Sequence, residues 1–255
     1  MLNDRSGAPL EVADALRQLE ARQIAVPAAV TDALVALRRV QAAEPAQVDA
    51  QDIRRAYLAG ADQGEIDALL LADLGSTRLR SEWAQARISA AVATLNALRD
   101  SASEVFPLLR AQAEAAIGKL QAVAELDAGA TVDSLVRGGK VDDAKLLAGA
   151  DEVAAELNAL YRLRDQYLVR GGLRSVVVNG HDCTRWRDPV AAAAHARGDT
   201  EAQQYLAGLR EGCELWYPSG PEARAAGQEL ADAAAAAAEK KRQREHGVGA
   251  TFTSW

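Results

Sequence analysis

The sequence predicts a mainly α-helical protein. The expected form is an elongated antiparallel helical hairpin or bundle, with a small N-terminal helical unit and a C-terminal module containing one β-hairpin. Three observations predict it. Apolar residues recur by sevens from Ile88 through Leu95, Ala102, Leu109, Ala116 and Val123, with Val92, Phe106, Ala113 and Leu120 interleaved. A second series, Leu146, Val153, Leu160 and Tyr167 with Ala150 and Leu157, repeats the pattern further along. Residues three and four apart share a helix face, so each series is a stripe. A polar, glycine-containing connector over 127–143 separates them, and two such stripes close on each other as an antiparallel pair.

Taken in order, Pro9 opens a first helix carrying Leu10, Ala13, Leu16 and Leu19 to about Gln23. Pro27 opens a second, with Val30, Leu34, Leu37 and Val40, and a third runs from about Ala46 to Ala59. A fourth is expected from about Glu65 to Leu74, punctuated by Gly60, Gly64 and Gly75. Arg54 to Asp73 has the small, turn and core positions of a helix-turn-helix. Its would-be recognition helix is acidic, however, at Asp62, Glu65, Asp67 and Asp73, which argues against DNA. The outgoing arm of the hairpin follows, and Pro107 forces it either to kink or to stop near Asp100 and restart. Thr131 to Val136 reads as a short helix within the connector, and the return helix spans about Val141 to Val169, ended by Gly171-Gly172.

Beyond Gly172 lies the strongest β signal: Leu173 to Val178, the turn Asn179-Gly180, and His181 to Trp186. Pairing across that turn sets Val178 opposite His181 and Val176 opposite Cys183. Asp188-Pro189 caps a helix through Ala196, Asp199-Thr200 starts another reaching about Trp216, and a final helix runs from Pro221 to about His246. These elements divide the chain into 1–75, 76–170 and 171–255.

At 255 residues and about half apolar, the chain can bury a core, but alanine dominates that half and aromatics make up only 4%, which favours close-packed helices over a lined catalytic pocket. The net charge of -7 does not favour nucleic acid as the default partner. Two cysteines form no disulfide framework, no run approaches the roughly 20 apolar residues that cross a bilayer, and the N-terminus lacks a secretory layout. A cytoplasmic protein without a membrane partner is expected.

No catalytic, metal or cofactor site is expected. His181, Cys183, His195 and Cys213 have the ligand types of a zinc site but not its paired spacing. Cys183 with His181 is the alternative an enzyme would use. The partner-binding candidates are Arg174, Arg185 and Arg187 in an arginine cluster with Arg162, Arg164 and Arg170, the basic helix end Lys240, Lys241, Arg242 and Arg244, and the terminal Trp255. The competing reading of the basic groups is local pairing and complementation of helix dipoles.

In layout, an acidic helical hairpin with a basic docking helix resembles scaffolding or accessory assembly proteins of tailed phages and prophages. That resemblance implies a non-enzymatic structural role with protein partners and self-association. A nucleic-acid-associated protein using the arginine cluster is the alternative partner class.

Overall fold

The computed structural model describes residues 6–45, 50–169, 177–178 and 181–248, and they are mainly α-helical. No helix among them is long and apolar enough to cross a membrane. The chain divides into two compact units, Met1–Val105 and Phe106–Trp255.

In the first unit, α1 (Ala8–Ala21), α2 (Ala28–Ala42) and α3 (Ala50–Ala59) all pack on α4 (Gln63–Asp100). Pro9 lies in the first turn of α1, where its missing N–H costs nothing, and Ala8, Val12, Ala15 and Leu19 form the buried stripe. Gly60, with φ +73°, makes the corner between α3 and α4, and the Asp62 carboxylate caps α4 by accepting from the Glu65 N–H at 2.9 Å. Further along α4, Ala91, Thr94, Leu95 and Leu98 are buried. Trp83 Nε1 donates to the Val40 carbonyl at 2.7 Å, which fixes α4 against the end of α2. The stripe around Leu95 is thus taken by the N-terminal helices, so the leading half of the outgoing arm pairs with α1–α3.

The expected break at Gly75 does not occur, since α4 runs through it without interruption. One glycine costs about 1 kcal/mol relative to alanine, and a helix of 38 residues held on one side by three others absorbs that cost. A Cβ at Gly75 meets nothing within 4 Å. Gly75→Ala is therefore expected to stabilise the protein by roughly 0.5–1 kcal/mol, read as a higher urea midpoint at unchanged slope.

Around Pro107, the helix stops at Asp100 and restarts as α5 (Ala102–Ala124), with Pro107 inside it. Pro107 and Ser103, whose carbonyl loses its donor, are both exposed, so water can serve that carbonyl. The second unit continues with α6 (Val132–Arg137), whose capping box joins Thr131 and Ser134. Next come α7 (Val141–Ala148) and α8 (Ala150–Leu163), separated at Gly149, and a π-helical turn over Arg164–Leu168. Leu109, Ala113, Ala116, Leu120 and Val123 of α5, and Ala150, Leu157 and Leu160 of α8, are all buried.

Regular β structure among the described residues is a two-residue antiparallel ladder, β1 (Val177–Val178) with β2 (His181–Asp182), in which Val178 faces His181 in the register. The Asn179-Gly180 turn, Leu173–Val176 and the Gly171-Gly172 stop lie outside the described residues. An isolated antiparallel bridge joins Trp186 to Leu215. α9 (Pro189–His195) is capped by Asp188, which accepts from the N–H groups of Val190 and Ala191. α10 (Glu201–Arg210) stops well before Trp216 because Gly212 takes φ +81°. Within α10, a Cβ at Gly208 would lie 2.7 Å from the Trp186 ring, so only glycine lets the indole seat there. The last helix, α11, spans Gly220–Val248.

Candidate functional site

The arginine cluster and the basic helix end have very different surroundings. Arg164, at the first residue of the π turn, is fully buried. Its Nε donates to Asp165 Oδ1 at 2.6 Å, and one terminal nitrogen donates to the carbonyls of Thr184 at 3.1 Å and Pro218 at 3.2 Å. The guanidinium also lies 5.0 Å from the Tyr161 ring centroid and 4.9 Å from that of Tyr217. Those rings continue a stack: Tyr217 is 5.6 Å from Tyr161 and 5.5 Å from Phe106. Tyr161 donates to the Trp216 carbonyl and Tyr217 to that of Leu160, both at 2.9 Å. Burial pushes the Tyr161 phenol far above its ordinary value, so it stays a neutral donor. Burial also raises the Asp165 carboxyl, more than Arg164 beside it pulls it down.

Arg185 and Arg187 are committed within the chain as well. Arg185 lies 3.8 Å from Asp182 and near the Tyr205 hydroxyl, while Arg187 pairs with Glu214 at 2.6 Å and covers the Trp216 ring. Asn158, also buried, links Glu201 to the Tyr205 hydroxyl. Arg164 thus ties the π turn to Thr184 and Pro218, and Arg187 ties its own segment to Glu214. Arg170 and Arg174 lie outside the described residues.

The basic end of α11 is different. Ala223 is buried, and Ala226 and Leu230 are half-buried, against Val169 and Cys183, and Glu222 accepts from the Ser219 N–H and from Arg110. Hydrogen bonding to the Ser219 side chain first, and then to its N–H and to Arg110, holds the Glu222 carboxyl below its usual range. From residue 235 to 244 every position is exposed. Lys240 and Arg244, four apart, share one face with Lys241 beside them, while Arg242 turns to Glu239 at 3.7 Å. Trp255 lies outside the described residues.

A groove of about 1010 Å³ runs between α5 and α7–α8. Ala116, Leu120, Val123, Leu146, Ala150 and Val153 line it. Lys119, Lys145, Glu152 and Glu156 also border it, so it has an apolar floor and a charged rim. It has no convergent set of polar groups of the kind that orients a small substrate.

Cys183 and Cys213 are both buried with thiols pushed up, chiefly by desolvation, which disfavours the nucleophilic thiolate. His195 lies 3.9 Å from Glu211. Among the described residues, no group of three or more His, Cys, Asp or Glu side chains is placed to hold a metal ion.

No family model, no curated protein and no solved structure matches the chain. Its surfaces therefore have to be read from their own chemistry.

Two features of the structure were missed in the sequence. The aromatic stack of Phe106, Tyr161 and Tyr217 draws on segments more than 50 residues apart, and no spacing announces it. The second is a set of exposed leucines, Leu58, Leu71, Leu74 and Leu79. A signal for these did exist. Leu69, Leu70 and Leu71 are consecutive, and consecutive helical residues point about 100° apart, so all three cannot face one core.

Proposed function

We propose that the protein is a non-enzymatic helical assembly protein that works by binding other proteins, itself included. One observation carries this reading: large apolar side chains stand on regular helices facing solvent, with Leu58 83%, Leu71 69% and Leu74 67% exposed. A soluble helix with an apolar stripe on the side away from its own core is a helix lacking a partner. The naked end of α11 supplies a second surface, and Lys240, Lys241, Arg242 and Arg244 make it suited to an acidic protein face. Arg174 and Trp255 belong to the same proposal as further partner contacts. A role in building a virus particle, in the cytoplasm or inside the particle, fits this combination.

Nucleic acid is less favoured because Arg164, Arg185 and Arg187 are engaged with Asp165, Asp182 and Glu214. The test is light scattering on the full chain from about 1 to about 200 µM, with and without a random DNA duplex. The expected result is a mass rising above the 27.0 kDa of one chain and unaltered by DNA. A mass that stays at one chain throughout would sink the reading. A DNA complex that dissolves steeply with salt would transfer it to the nucleic-acid class.

A further inference from the structure

We propose that two copies of the chain pair through the outer face of α4, antiparallel, about a two-fold axis between Leu71 and Leu74. This rests on the assembly reading and names its partner as a second copy.

The core-facing side of α4 in this region is already used. Ile66 is buried, and Ala68 and Leu69 border the cleft that α3 makes with α4 through Ala56 and Ala59. On the far side, Gly64, Asp67, Leu71, Leu74, Arg78 and Ser81 follow one another at spacings of three and four, and every one of them is exposed. That spacing repeats every seven residues, which is the seam of a two-stranded coiled coil. Over 18 residues it spans about 27 Å, two and a half heptads.

Charge selects the orientation. In a parallel pair, Asp67 would face the partner's Asp67 and Arg78 the partner's Arg78, both repulsive. Reversing one helix about the midpoint of Leu71 and Leu74 places Leu71 against the partner's Leu74, and Leu74 against the partner's Leu71. The same operation sets Asp67 opposite the partner's Arg78 at one end and repeats that pair at the other. Gly64 then meets the partner's Ser81, two small residues where the helices begin to diverge. The seam is complementary to itself in shape and in charge, as an isologous interface must be. Asp67 Oδ1 already accepts from Gln63 at 2.8 Å, which holds the carboxylate on this face with its second oxygen available to an arginine. With two leucines per copy at its centre, the interface is small, so the dimer forms in the micromolar range and not at nanomolar concentration.

The test is sedimentation velocity on the full chain and four variants, with far-ultraviolet circular dichroism to confirm unchanged helicity. The expected wild-type behaviour is a reversible monomer–dimer equilibrium. Asp67→Arg and Arg78→Asp, each made alone, should weaken dimerisation at least about tenfold, because each sets like charges opposite one another. The double variant D67R/R78D restores opposite charges and should return to within about threefold of wild type. Leu71→Glu, at a position too exposed to matter to the monomer, should abolish the dimer. If the chain self-associates but Leu71→Glu and Asp67→Arg leave the constant unchanged, this interface is wrong and the assembly reading survives. If the double variant stays as weak as the singles, the antiparallel register is wrong. A chain that is monomeric throughout overturns both.

Discussion

Replacing Arg164 with alanine is expected to cost about 3–5 kcal/mol of stability. The side chain is fully buried, and its Nε and one terminal nitrogen donate to Asp165, Thr184 and Pro218 of the second unit. Truncation leaves the Asp165 carboxylate without its cation and two carbonyls without their donor. It also opens a hole beside the Tyr161 and Tyr217 rings. Arg164→Lys keeps the charge but replaces a planar fork with a single point, so it cannot reach the carboxylate and both carbonyls together. More than half of the alanine penalty should persist. Urea unfolding with circular dichroism measures both, and a loss below about 1 kcal/mol for alanine would show that the guanidinium is hydrated in solution.

Tyr217→Ala should cost nearly as much, about 3–5 kcal/mol, while Tyr217→Phe should cost only about 0.5–1.5 kcal/mol. The contrast separates the ring from its hydroxyl. The ring lies between Phe106 and Tyr161 and beneath the Arg164 guanidinium, so its removal breaks a stack and exposes a buried cation to a void. The hydroxyl makes a bond to the Leu160 carbonyl, which also accepts from the backbone of Arg164 and so is not orphaned when the phenol goes. Because Arg164 and Tyr217 touch, their alanine variants should be non-additive by at least about 1 kcal/mol in a double-mutant cycle. Additive losses would mean that the guanidinium and the ring act independently.

Much of the helical layout was legible before any coordinates. Pro9, Thr131, Asp188 and Thr200 mark helix starts through side-chain or ring chemistry that acts within four residues. Pro107 announced a disturbance of the long arm, either a kink or a restart near Asp100, and only the fold chose the restart. Gly75 misled because a glycine's local cost was weighed without the three helices that pack on α4. The arginine cluster was visible as a cluster, yet its placement was not. Arg164 and Arg187 differ little in sequence context, while one is fully buried and the other pairs with Glu214 at the surface.

By itself, the sequence determined that this protein is mainly helical, that leucine, valine and alanine fall in stripes, and where most helices begin. These properties depend on φ/ψ preferences and on hydrogen bonds closed within a turn, so they are written in neighbouring residues. Only the tertiary structure decided which stripe meets which helix, that Arg164 is locked among tyrosines, and that Leu71 and Leu74 face water. Burial is a relation between segments distant along the chain. A periodic stripe states that a partner is needed without stating whether that partner comes from the same molecule.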